Sequence, residues 1–159
     1  GVAVEKMAGR GTGINDQGHQ RKMSVITKAL ELHGSHMENG LDILQCIGGY
    51  EIGAIAGAVL GAASLNIPVV IDGFISTAGA LVAHSICPPV ADYLIPSHAS
   101  EETGHRAMLA HLGLTPLFDF QMRLGEGTGA ALAVTIVDAA CKLLDEMATF
   151  EEAGVAGKE

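Results

Sequence analysis

Tryptophan is absent from this chain of 159 residues, and only 4% of it is aromatic. The apolar interior therefore falls to Ala, Leu, Ile and Val. Basic residues are scarce as well. Nine Lys and Arg stand against eighteen Asp and Glu, the net charge is −9, and no basic cluster exists beyond Arg21-Lys22. That balance excludes nucleic acid as a partner, because a phosphate backbone calls for a basic stripe. The cysteines (Cys46, Cys87, Cys141) are odd in number, far apart and set in apolar segments. They exclude a disulfide framework and a zinc site, and read as buried thiols in a reducing, cytoplasmic setting. The start, Gly1-Val2-Ala3-Val4-Glu5-Lys6, has no apolar leader segment. It also lacks Met, so the chain reads as a fragment or a processed product.

With 48% hydrophobic and 17% charged residues, the composition is that of a folded domain and not a solvating chain. The expectation is a single α/β domain over residues 1–159, long enough to bury about two-thirds of its unfolded surface. One stretch imitates a membrane span. Ile52 to Ile71 is nearly free of charge and spaces Gly53, Gly57 and Gly61 in a small-xxx-small pattern. Asn66 and Pro68 interrupt it, Glu51 and Asp72 bound it, and no basic residues flank it. A closely packed helix followed by a buried strand accounts for the same residues.

Hydrophobic period and punctuation give the order of elements. Gly9-Arg10-Gly11-Thr12-Gly13 is a loop, and Asn15 or Asp16 caps a helix running to about His33. A second helix covers roughly Leu41 to Cys46, Gly48-Gly49 breaks it, and a third runs from Tyr50 to Ser64. Val69-Val70-Ile71 is a β-branched run after Pro68, the pattern of a buried parallel strand. Phe74 to Ile86 is helical, Tyr93-Leu94-Ile95 is a second strand, and Glu101 to Leu112 is helical. Leu117 to Phe120 is a possible third strand, and the longest helix spans about Gly127 to Met147. Alternating strands and helices imply right-handed crossovers and a parallel sheet. Ligands bind beyond the carboxyl ends of such strands. Asp72-Gly73, Ser97 to Ser100 and the loop around Glu126 all fall at those ends.

The most informative stretch is Arg123-Leu124-Gly125-Glu126-Gly127-Thr128-Gly129-Ala130, which sets one carboxylate between glycines just ahead of a long helix. Glycine on both sides lets a ligand approach closely, and a helix start aims free N–H groups at the same point. An acid suiting a helix dipole accounts for Glu126 equally well. Asp72, after an apolar strand, is expected to be part-buried. It reads as the N-cap of the helix from Phe74, as a site residue, or as both. Lys22 alone reads as a solvated helix residue. The glycine patterns match neither a dinucleotide fingerprint nor a Walker loop. His98 and His105 are too far apart for one helical face, so the histidines read as satisfied or exposed and no metal is expected. No nucleophile elbow frames a serine.

Several segments together carry a resemblance: Gly9-Arg-Gly-Thr-Gly-Ile14 with Arg21-Lys22, Gly48 to Gly57, Val70-Ile-Asp-Gly-Phe-Ile-Ser-Thr-Ala78, Asp92-Tyr-Leu-Ile-Pro-Ser-His98, Met122 to Ala130 and Met147-Ala-Thr-Phe150. In order and over almost the whole chain, they resemble the nicotinate-nucleotide–dimethylbenzimidazole phosphoribosyltransferases, but only their C-terminal half. The resemblance implies a Rossmann-like three-layer fold with a parallel sheet flanked by helices, a cytoplasmic homodimer, and a reaction needing no cofactor. Phosphoribose would move from nicotinate mononucleotide to 5,6-dimethylbenzimidazole or a related base, giving α-ribazole 5′-phosphate for the lower ligand of cobalamin. By the family pattern Glu126 matches the general base, and Leu124 and Gly125 match the wall beside the base. Asp72 and Gly73 match the ribose side, and Lys22 a phosphate-side contact. A serine after the second strand is also expected near the ribose, Ser100 first and Ser97 second. A reading from another class is a non-catalytic binding or assembly module that needs the N-terminal half.

Overall fold

The computed structural model describes residues 2–11 and 13–155; Thr12 of the glycine loop and the starting Gly1 lie outside the described residues. A short helix α1 (Val4–Met7) leads into the long α2 (Asp16–His33), whose N-cap is Asn15; its side chain accepts the Gly18 N–H at 2.9 Å. Helix α3 (Gly40–Ile47) begins in a capping box, in which Asn39 accepts from Leu41 and Asp42 and its own N–H is returned to the Asp42 carboxylate. Gly48 ends it. A Cβ there would lie 2.5 Å from the Leu44 Cα, so only glycine lets the chain turn against its own last coil.

Helix α4 (Tyr50–Ser64) and strand β1 (Val69–Ile71) divide the uncharged run between them. Among the described residues no helix is long and apolar enough to cross a membrane. Helix α5 (Phe74–Ile86) follows, then a 3-10 helix from Pro88 to Tyr93 and strand β2 (Leu94–Pro96). The two prolines start that 3-10 helix and carry it through Tyr93, so the strand begins one residue later than expected. Strand β3 (His98–Ser100), helix α6 (His105–Leu112), strand β4 (Phe118–Met122) and helix α7 (Thr128–Glu146) complete the order.

Among the described residues all strand pairing is parallel, as the α/β reading requires. β1 pairs with β2 and β3 with β4. Ser97 joins the two pairs into one layer: its N–H donates to the Ile71 carbonyl at 3.0 Å, while its own carbonyl accepts the Phe118 N–H at 3.2 Å. The expected second strand is therefore one extended path, Leu94 to Ser100, flanked by β1 in its first half and by β4 in its second. The β3–β4 register slips between His98 and Ser100, beside Gln121, which stands at φ 55°. Among the described residues β1 and β4 each keep one unpaired edge.

The core gathers Ala56 and Val59 of α4, Ala80 and Ala83 of α5, Ile71, Val90, Leu94 and the α6 residues Leu109 and Leu112. Small residues bring α4 and α5 close, and a Cβ on Gly79 would lie 2.4 Å from Ile55. Helix α7 buries only Gly129 and Ala133, and α2 buries none of its residues.

Three expectations need correction. The cysteines are not buried: Cys46 is half-buried, and Cys87 and Cys141 are exposed. Cys87 falls where α5 stops before Pro88, and Cys141 lies on the uncovered length of α7. Helix α6 starts at His105, not at Glu101, because the Glu101 N–H is still paired with the Met122 carbonyl at 3.0 Å. Asp72 does not cap α5; its N-cap is Gly73, with no side-chain bond.

Candidate active site

Asp72 leaves β1 with its carboxylate pointing away from α5 and toward the start of α7. One oxygen accepts the Ala130 N–H at 3.0 Å and the other the Gly127 N–H at 3.3 Å. The helix supplies free N–H groups in its first turn, and a carboxylate satisfies them best. Asp72 is part-buried, as an acid at the end of an apolar strand should be. Its cap role is real, but the helix it caps is the one behind Glu126.

The approach of α7 to the sheet depends on Gly129. A Cβ there would fall 1.9 Å from His98 Nδ1 and 2.9 Å from the Asp72 carboxylate. Glycine alone lets the α7 backbone lie on this pair. In consequence the loop before α7 is drawn onto the carboxyl end of β1, beside His98.

That loop holds a rare conformation. Gly125 (φ 76°), Glu126 (φ 56°) and Gly127 (φ 75°) form three consecutive left-handed residues. For glycine this costs little; for Glu126 the Cβ crowds the following carbonyl at a cost of roughly 1–2 kcal/mol. Glu126 is exposed and hydrogen-bonds to no other side chain among the described residues. Strain of this kind persists where the surroundings over-determine it, and it clusters at functional sites. Leu124 beside it is 73% exposed.

Ser97 and Ser100 are both buried, but they differ. The Ser97 hydroxyl donates to the Asp72 carbonyl at 2.9 Å and lies 3.0 Å from His98 Nδ1, so its capacity is used inside the protein. The Ser100 hydroxyl accepts one bond, from the Glu102 N–H at 3.3 Å, which leaves its proton free for another acceptor. Gly73 faces Ser100, with its Cβ direction toward His98 (3.6 Å) and Ser100 (3.9 Å).

The structure thus brings together Asp72, Gly73, Ser97, Ser100 and the Gly125-Glu126 loop. Lys22 lies on α2 against the glycine loop, and among the described residues no contact joins it to this group. Its Nζ donates to the Gly9 carbonyl at 2.8 Å, while Arg123 reaches the Gly11 carbonyl at 3.5 Å. Between the glycine loop and Arg123 opens a cavity of about 610 Å³ lined by Gly9, Arg10, Gly11, His19, Glu101 and Arg123, with Lys22 outside its wall. Arg10 itself pairs with Asp16.

Sequence reasoning passed over Thr77 and took His98 and His105 only as satisfied or exposed histidines. The two imidazoles are set on different elements, with ring centroids 6.1 Å apart. Helical spacing could not reveal that. Gly129, third in the Gly-x-Gly-x-Gly run, carried a signal that was read for nucleotide loops and not for close helix docking. His105 is held well below its usual range, to about 4, first by burial and then by the charges of His98 and Arg106; Asp72 opposes.

A parallel layer of strands alternating with helices makes this an α/β protein, of the kind whose ligands bind beyond the strand ends. Residues 1–155 match the phosphoribosyltransferase family, and the chain belongs to it. A nicotinate-nucleotide–dimethylbenzimidazole phosphoribosyltransferase of Roseiflexus sp. is 56% identical over 158 residues, 99% of this chain and 45% of its own length. The protein of that name from Chloroflexus aurantiacus is 56% identical over 155 residues, covering 98% of this chain and 44% of its own. The crystal structure of CobT from Thermus thermophilus superposes with a TM-score of 0.91 at 43% identity, over 99% of this chain and 46% of that one. The chain spans a little under half the length of these relatives.

Proposed function

We propose that this chain is the catalytic-base portion of a transferase that moves phosphoribose from nicotinate mononucleotide to 5,6-dimethylbenzimidazole or a related base. The products are α-ribazole 5′-phosphate and nicotinate. The observation that carries the reading is Glu126, held left-handed between two left-handed glycines on a loop tethered to β1 through Asp72. No fold requirement asks for a non-glycine residue there.

The chemistry needs one carboxylate. Nicotinate leaves from a cationic pyridinium and becomes neutral in its ring, so no general acid is called for. The attacking benzimidazole nitrogen gains positive charge as its bond to C1′ forms. Glu126 at the other ring nitrogen takes that proton, an assistance worth roughly a hundred- to ten-thousand-fold. A glycosidase pair would need a second acid at a set separation.

Leu124 and Gly125 stand beside the base as a wall. Gly73 and Ser100 face the ribose, with Ser97 behind them as the second serine. Asp72 adds a ribose contact to its cap role, since two accepted bonds leave lone pairs unused on a carboxylate. Lys22 serves the phosphate side, where a phosphate displaces the Gly9 carbonyl from its ammonium. The reaction requires no cofactor. The complete protein works as a cytoplasmic homodimer.

The decisive test is Glu126→Gln in a protein extended to its relatives' length. The amide keeps the shape and cannot accept the proton. Single-turnover rates should fall at least a hundredfold, by the same proton-transfer argument, while nicotinate mononucleotide affinity stays near normal. Turnover close to that of the unsubstituted protein would falsify the role.

A second reading is favoured by the uncovered lengths of α2 and α7: a non-catalytic binding or assembly module that acts only with its N-terminal half. Mixing the two halves separates the readings. Transferase activity on mixing supports the first, and a stable inactive complex the second.

A further inference from the structure

His105 has no place in the chemistry above, yet it is among the largest fully buried side chains. Its Nδ1 accepts the Ser100 N–H at 2.9 Å, and its Nε2 lies 3.0 Å from the Thr77 hydroxyl. Thr77 in turn donates its hydroxyl proton to the Gly73 carbonyl at 2.7 Å. The directions follow from one another. A backbone N–H can only donate, so Nδ1 is an acceptor and the ring proton sits on Nε2. Thr77 has given its proton to Gly73, so its oxygen accepts from Nε2. The result is one unbroken relay, Ser100 to His105 to Thr77 to Gly73, from the end of β3 to the end of β1.

We propose that His105 is a positioning residue that clamps Ser100 and Gly73 in a fixed relation, so that the ribose meets a preformed rim. The proposal rests on the reading of those two residues as the ribose side. Its geometry has little slack. The Gly73 carbonyl also takes the Ser76 hydroxyl at 2.9 Å and the Thr77 N–H at 3.0 Å, so it cannot swing without breaking several bonds. At the other end the Ser100 N–H is turned to the ring instead of to β4, where the β3–β4 register slips. The ring thereby sets where the serine hydroxyl stands. A protonated ring would place an N–H on Nδ1 against the Ser100 N–H, two donors face to face. Burial and the neighbouring charges of His98 and Arg106 keep the ring neutral, against the pull of Asp72. A site held by such partners loses less ordering entropy on binding than one assembled by the ligand.

Thr77→Val and Thr77→Ser test the clamp without touching the ring or the ribose residues. The first removes the hydroxyl at nearly constant shape; the second keeps it. In the 159-residue chain, nitrogen chemical shifts of His105 should report the Nε2–H tautomer in the unsubstituted protein and in Thr77→Ser. In Thr77→Val the Ser100 amide should exchange about tenfold faster, the equivalent of one hydrogen bond, with Val59 in the core unchanged. Equal exchange at Ser100 in both variants would overturn the clamp, and so would an acceleration shared equally by Val59. In the extended enzyme, Thr77→Val should raise KM for nicotinate mononucleotide about fivefold with kcat little changed, and Thr77→Ser should restore it. A KM unmoved while Ser100 exchange rises would sever the clamp from substrate and overturn the proposal. An extended protein with no transferase activity would instead sink the functional reading, and the exchange data would still decide the clamp.

Discussion

The Asp72 carboxylate at the end of β1 accepts the Ala130 N–H at 3.0 Å, capping a helix 58 residues further along the chain. One side chain therefore fixes a strand end, a helix start and the loop between them that carries Glu126. Cap and site are a single construction here, and damage to one is felt in the other.

Removing the carboxylate makes that visible. Asp72→Ala should lower stability by about 1 kcal/mol, the cost of a lost side-chain cap. Denaturant midpoints would measure it. Amide exchange should quicken at Gly127 and Ala130 more than at the start of α5. Equal quickening at Thr77, or an unchanged midpoint, would show that the two bonds do not hold α7.

The left-handed Glu126 yields a prediction of opposite sign. Glu126→Gly should leave the chain at least as stable, and up to about 1 kcal/mol more so, because glycine relieves the steric cost of positive φ. In the extended enzyme the same change should abolish turnover. Midpoint and turnover measured on the same substitution would expose a trade between stability and function. A stability loss near 1 kcal/mol would mean that Glu126 holds its loop by contacts instead of straining it.

Much of this arrangement was legible in the sequence, and the limit of legibility is physical. The Gly48-Gly49 break and helix α4 from Tyr50 to Ser64 follow from local rules, and so does a cap at Asn15 or Asp16, which the structure assigns to Asn15. Val69–Ile71 was readable because a β-branched run after proline has few other uses. Partners distant in sequence were not readable. Asp72 beside Phe74 looks like a local cap; only the folded chain shows that Gly127 and Ala130 are nearer to its oxygens. The cysteines misled for a related reason. An apolar neighbourhood along the chain does not ensure burial when one helix, α7, carries apolar residues that nothing among the described residues covers.

Gly129 should tolerate nothing larger. An alanine methyl would stand 1.9 Å from His98 Nδ1, and His98 is buried and held by Ser97. Either α7 lifts or the ring leaves its partner. Gly129→Ala should therefore cost about 1–3 kcal/mol, the range for overpacking a tight contact. The gain in helix propensity offsets less than about 1 kcal/mol of that. Gly57→Ala, in open space on α4, is the matched control and should be neutral or slightly stabilising. Similar midpoints for both variants would refute the docking argument.

Stability should also depend on pH in a defined window. His105 titrates near 6.5 when unfolded and at about 4 when folded, so the unfolded chain binds the extra proton between those values. Stability is then fully present above about pH 6.5 and is lost as pH falls toward 4, by about 3 kcal/mol at most. Asp119 and Glu152, held low by Arg106 and by Thr149, begin to contribute only in the more acid range of free carboxylates. Urea midpoints from pH 7.5 to 5 isolate the histidine part. A flat profile there would mean that the His105 ring is not held neutral by its surroundings.

The 159-residue chain by itself should self-associate and show no measurable transferase activity. Its relatives are more than twice as long, and the surfaces left uncovered here are extensive. Helix α7 presents Leu132, Ile136, Leu143 and Leu144 to solvent, the last 86% exposed, and Tyr50 at the start of α4 is wholly exposed. Apolar area on that scale is a contact surface in search of cover. The unpaired edges of β1 and β4 add backbone groups that pair readily with another strand. Sedimentation at rising concentration should give a mass that grows with loading. Nicotinate mononucleotide should bind weakly or not at all by calorimetric titration, because on the proposed reading this chain supplies only part of the nucleotide site. Supplying the N-terminal half in trans should reduce the self-association and bring α-ribazole phosphate formation above background. Robust turnover by the isolated, monomeric chain would overturn both expectations and place the whole of the nucleotide site within these residues.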